Sequence, residues 1–137
     1  MTLILKRFVA GVLATLVFHQ AAIAMFWLAK LSPRTPFAMD PVSPLGVPAI
    51  ISLAFWGGVW GLALLWLIAR LRPRWRLLAA IVLGAFGPTL VYFFVVAPLK
   101  GGATPPASLF VGGLLVNALW GFGAWLFARL LLGKHFR

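Results

Sequence analysis

Four apolar runs, at 8–30, 47–69, 77–99 and 107–131, follow one another along the chain, each broken off by a polar or proline-bearing stretch. Crossing a hydrocarbon core takes about 20 helical residues, and every run reaches that length. None alternates polar and apolar residues, so the pattern predicts helices. Lipid-exposed β-structure would have to close into a barrel. The outer connection, 31–46, lies in "LSPRTPFAMDPVSPLGVP", where Pro33, Pro36, Pro41, Pro44 and Pro48 fix φ and remove backbone donors. It should be extended and irregular. "KGGATPP" between runs 3 and 4 is equally hostile to helix. The prediction is a single membrane domain over 1–137, an all-α integral membrane four-helix bundle.

Within each run the small or polar residues recur at helical spacing. Run 1 has Gly11, Thr15 and His19; run 2 has Gly57 and Gly61; run 3 has Ala80, Gly84 and Pro88. Run 4 has Gly113, Asn117 and Gly121, with Ala124 and Ala128 nearby. Lipid tails are as apolar as leucine, so helices associate through close backbone approach and polar links. The expectation is one narrow packing face per helix and a wide Leu/Val/Ile/Phe face toward lipid. Pro88 should bend its helix and leave the Gly84 carbonyl without its usual donor.

Composition strengthens the membrane reading. With 64% hydrophobic and 9% charged residues and a mean hydropathy of +1.07, too few polar side chains exist to clothe a soluble domain. Cysteine is absent, which excludes disulfides and thiolate chemistry. A net charge of +11 would suggest nucleic acid in a soluble protein. Here the cations sit at the ends of the apolar runs, so the acidic partner expected is the lipid headgroup and not nucleic acid.

Charge then orients the chain. Lys6, Arg7, Arg70, Arg72, Arg74, Arg76, Arg129, Lys134 and Arg137 fall on one side. Only Lys30, Arg34 and Lys100, offset by the single acid Asp40, fall on the other. Short Lys/Arg-rich segments stay cytoplasmic. Both termini are therefore expected inside, in a bacterial inner membrane, with 70–76 as an arginine-rich inner turn. The same four arginines can attract anionic lipid, each contributing on the order of 1 kcal/mol. Trp27, Trp66, Trp75 and Trp125 lie where interfacial aromatic belts form. Lys6-Arg7 followed by Ala22-Ile23-Ala24 imitates a cleavable signal peptide, but the apolar run continues through Leu28, and a retained span is expected.

Runs 2 and 4 also resemble each other. "VWGLALLWLIARL" (59–71) aligns with "LWGFGAWLFARL" (119–130) after a one-residue slip, pairing Trp60-Gly61 with Trp120-Gly121. That suggests two helical-hairpin repeats in the same orientation.

Candidate chemistry is sparse. The polar residues within the runs are Thr15, His19, Gln20, Ser52, Thr89, Tyr92 and Asn117. His19 sits near mid-depth, where an ionisable group turns inward to a partner or a wet cavity. Asn117 is the partner expected by depth, and Tyr92, Thr15 and Thr89 complete a candidate ligand or proton set. Gln20 points about 100° away from His19 around the helix. A haem would want two axial histidines, and His135 lies in the tail, so haem at His19 requires a second copy. No metal site and no resident cofactor are expected. No carboxylate pair, nucleophile setting or phosphate loop supports enzyme chemistry. The first functional expectation is a non-enzymatic packing module, either a homo-oligomer or an accessory subunit of a larger membrane complex. A small-molecule or proton pathway centred on His19 is the alternative, and a haem- or quinone-binding redox module is the third reading.

Overall fold

A computed structural model describes residues 1–101 and 105–136, and it is all-helical apart from one short hairpin. Four helices are long and apolar enough to cross a membrane: α1 Leu3–Leu28, α2 Ala49–Ile68, α3 Pro73–Leu99 and α4 Ala107–Leu132. Each predicted run is thus one helix. Part of the stretch "KGGATPP", the cation Arg137 and the side chains of Lys134 and His135 lie outside the described portion.

The helix ends follow local chemistry more than hydropathy. α1 starts before its apolar run because Thr2 caps it, its side chain accepting the Leu5 N–H at 3.3 Å. It closes with Lys30 at φ 58°, where Lys30 N–H bonds Trp27 O and Leu31 N–H bonds Phe26 O, a Schellman-type cap. α3 starts at Pro73, a residue suited to the first helical position because it lacks the N–H that would be orphaned there. The connection between α2 and α3 is consequently shorter than the 70–76 expected, with Arg74 and Arg76 already in the first turn of α3.

The loop between α1 and α2 is extended, and it also forms a small antiparallel ribbon, β1 Pro41–Val42 with β2 Val47–Pro48. Gly46, at φ 67°, makes the turn possible. The loop then covers the start of α2: Ala49 N–H donates to Asp40 O and Ile50 N–H to Ala38 O. Those are helix-end donors that would otherwise lack partners.

Two helices depart from α-geometry in mid-course. Thr15–His19 in α1 and Tyr92–Val96 in α3 are π turns. The widening in α1 begins at an overcommitted acceptor. Gly11 O receives the Thr15 backbone N–H, the Thr15 hydroxyl at 3.0 Å and the Trp120 indole N–H at 3.2 Å. Side chains competing for a ladder carbonyl loosen a helix at that point. In α3 the helix continues through Pro88, and the π turn starts four residues later.

Packing is pairwise. α1 lies mainly against α2 and α4, α3 mainly against α4, and α2 meets α3 only sparsely. Of the small residues expected at the packing faces, Gly11, Gly57, Gly61, Ala80, Gly84, Gly121, Ala124 and Ala128 are buried and Gly113 is half-buried; Ala10, Ala14 and large side chains such as Leu65 and Ile68 join them. The opposite faces expose large side chains such as Phe55, Trp56, Phe86, Phe94 and Leu130.

Candidate functional site

Two glycine contacts define the hairpins. A Cβ on Gly61 would lie 2.7 Å from Gly11 Cα, and one on Gly57 would collide with the Thr15 hydroxyl. In the second hairpin, a Cβ on Gly84 would lie 2.7 Å from Gly121 Cα. Backbone therefore touches backbone at α1/α2 and again at α3/α4. Gly113 is a looser contact, with its Cβ position 3.2 Å from Thr89 Cγ2. Tryptophans then join the hairpins. The Trp60 ring reaches across to Gly87 on α3, and Trp120, 2% exposed, donates its indole N–H to Gly11 O on α1.

The polar candidates separate into two groups. Asn117 Nδ2 donates to Thr89 Oγ1 at 2.9 Å, and Thr89 is 1% exposed. This links α3 to α4, so the partner of Asn117 is Thr89 and not His19. Thr15 is buried and spends its hydroxyl on its own helix. Tyr92 is 44% exposed, and its ring stands edge-on to Phe93, 5.6 Å away.

His19 is half-buried in the π turn, and its Nδ1 is buried without a hydrogen-bond partner among the described residues. Gln20, next along α1, is 2% exposed. Its Oε1 accepts the Phe37 N–H of the α1–α2 loop at 2.7 Å, while its Nε2 is buried and without a partner among the described residues. Sequence reasoning passed over Gln20. The signal available was an amide inside an apolar run, but nothing local indicates that a loop folds back onto it. His19 supplies the nitrogen in this set that could ligate a metal or haem. The side chain of His135, weighed as a second axial ligand, lies outside the described part. No group of three or more His, Asp, Glu or Cys side chains gathers among the described residues.

At the end that carries the α2–α3 connection the arginines divide. Arg70, Arg72 and Arg74 are exposed. The Arg70 guanidinium lies 3.3 Å from the Trp66 ring centroid and donates to Trp66 O. Arg129 sits over Trp125 at 5.0 Å and Arg74 over Trp75 at 5.7 Å. Such stacking keeps an interfacial cation on an aromatic platform. Arg76 has a different role. Its guanidinium donates to Leu71 O at 3.1 Å, Ala69 O at 3.2 Å and Phe136 O at 3.0 Å, tying the α2–α3 turn to the final helical turn. The Nε of Arg7, at the same end, is buried without a partner among the described residues.

The best-defined hollows are open grooves. One, of about 380 Å³, runs between α1 and α2 and is lined only by apolar side chains, from Phe8 to Leu16 and from Ile50 to Phe55. Fold and polar inventory together define a protein of four membrane-length apolar helices, its interior closed by glycine and tryptophan. No family model, curated protein or solved structure matches the chain.

Proposed function

We propose that this is a bacterial inner-membrane protein, with both termini in the cytoplasm, whose role is architectural. It packs, as a homo-oligomer or as an accessory subunit that stabilises a larger membrane complex, and carries out no chemistry of its own. The observation behind this reading is how the bundle's small and large side chains are distributed. Gly11, Gly61, Gly84 and Gly121 meet inside, with Trp60 and Trp120 filling the space between hairpins. Large aromatics face outward on α2 and α3. Arg70, Arg72 and Arg74, exposed at the inner end, would hold anionic headgroups.

The proposed orientation rests on where the cations fall, since Lys6, Arg7, the inner-turn arginines and Arg129 share one end. A duplicated hairpin is also part of the reading. Gly61 on Gly11 and Gly121 on Gly84 are matching contacts, and Trp66–Arg70 and Trp125–Arg129 are matching stacks. Reporter fusions at Pro41 and Arg72 should light up on opposite faces of the membrane.

The decisive experiment is purification from native membranes in mild detergent, followed by native mass spectrometry. A defined multimer, or a fixed-ratio complex with another membrane protein, is expected. A bare monomer under every extraction condition contradicts the architectural role. The unpartnered Nδ1 of His19 supports a second reading, a small-molecule or proton pathway. A His19→Leu variant that assembles normally but loses a transport phenotype would favour it.

A further inference from the structure

A protein that only packs has no use for unpaired polar atoms in its interior, yet the part of α1 beneath the proline-rich loop holds them. The Gln20 amide is oriented by its bond to the loop: Oε1 faces the Phe37 N–H, so Nε2 and its two protons face away, buried and unmatched. One residue earlier, the Nδ1 of His19 is buried and unmatched as well. Buried polar groups without partners are rare in folded proteins and call for an explanation. Both residues sit where the π turn of α1 gives way again to α-helix, a type of irregularity frequent at functional sites.

The loop above them is built to arrive there. Lys30 reverses the chain at the end of α1, and the Ser32 hydroxyl accepts the Arg34 N–H at 3.2 Å. The chain then brings Phe37, at φ 52°, down onto Gln20. Arg34 is exposed on the same loop, three residues before the Phe37 that meets Gln20. Asp40, the chain's single acid, is exposed on the same loop, and its carbonyl is committed to the start of α2. The unmatched Gln20 Nε2 is a donor and the loop beside it carries Arg34, a pairing that favours a ligand supplying acceptors and negative charge.

We propose that the His19–Gln20 step beneath the outer loop binds a phosphate-type oxyanion, whose oxygen accepts from Gln20 Nε2 while Arg34 supplies the attracting charge. The oxyanion is either the phosphodiester of a lipid headgroup or a free phosphate entering from the outer face. A Gln20 that merely anchored the loop would need only its Oε1. Gln20→Glu separates the two roles, because it keeps an acceptor for Phe37 and replaces the donor with a carboxylate oxygen.

The test uses the full chain in dodecyl maltoside micelles, titrated with inorganic phosphate and, separately, with phosphatidylglycerol. Binding is followed by the backbone amide resonance of Phe37. A response to phosphatidylglycerol alone identifies a headgroup site, and a response to inorganic phosphate identifies a free-anion site. Gln20→Glu should weaken binding about tenfold or more, as expected for loss of a hydrogen bond to a charged group. Arg34→Gln, in an exposed loop, should weaken it roughly threefold. Silence toward both probes overturns the proposal, as does undiminished binding by Gln20→Glu. Should Gln20→Glu fail to fold, unchanged affinity in Arg34→Gln overturns it equally.

Discussion

Gly121→Ala adds a single methyl group at the point where α3 and α4 touch. The new Cβ would collide with the Ala80 carbonyl oxygen and lie 3.1 Å from both the Ala80 carbonyl carbon and Gly84 Cα. These are backbone atoms, so no side chain can rotate out of the way. Restoring ordinary contact requires the helices to part by about 1 Å, which forfeits a quarter to a half of the dispersion attraction of the affected atom pairs. In lipid no hydrophobic gain offsets that loss, because the surrounding tails are as apolar as the seam. The expected destabilisation is about 1–3 kcal/mol, in the range for overpacking a tight site. Gly112→Ala on the same helix is the control, since nothing lies within 4 Å of its Cβ position. Its effect should fall between neutral and about 1 kcal/mol stabilising, from helix propensity. Unfolding in bicelles measures the energies, and spin labels on the outer surfaces of α3 and α4 measure the separation. Equal stability and equal spacing in the two variants would refute the claim that backbone contact holds this hairpin together.

Asn117→Leu should cost about 0.5–1.5 kcal/mol through loss of the bond to Thr89, and a cycle with Thr89→Val should yield a coupling near 0.6 kcal/mol. Additive single effects would show that the link carries no energy. Trp120→Phe removes the indole donor to Gly11 O while keeping most of the packing, and a loss of about 1 kcal/mol in the same unfolding assay is expected. Arg76→Gln frees the carbonyls of Ala69, Leu71 and Phe136, so amide exchange across 69–72 should accelerate roughly tenfold or more. Arg72→Gln, whose side chain is exposed, should leave that exchange unchanged.

The parts of the fold legible in the sequence are those written in local pattern. Run length and apolarity located all four helices, and the i, i+4 spacing of glycine and alanine identified the packing faces, because those periodicities are the helix geometry itself. The helix starts were misplaced where a cap outranked hydropathy, at Thr2 and at Pro73. The polar constellation was harder to read. Depth alone suggested His19 with Asn117, but depth does not fix azimuth, and Asn117 faces Thr89. Tyr92 belongs by depth to the candidate polar set, yet it opens the π turn of α3 with its side chain 44% exposed. The bonds from Gln20 to Phe37, Arg76 to Phe136 and Trp120 to Gly11 span 17, 60 and 109 residues. No window of sequence contains both ends of such a pair.

That last bond has a consequence for biogenesis. The glycine contacts join neighbours in the chain, so the first pair of helices can settle in the bilayer while the second is still being synthesised. Trp120 has no acceptor at Gly11 until the two halves dock. The expected order of assembly is therefore modular, with the docking of the two pairs, Trp120 on Gly11 and Trp60 on Gly87, following the closure of each pair.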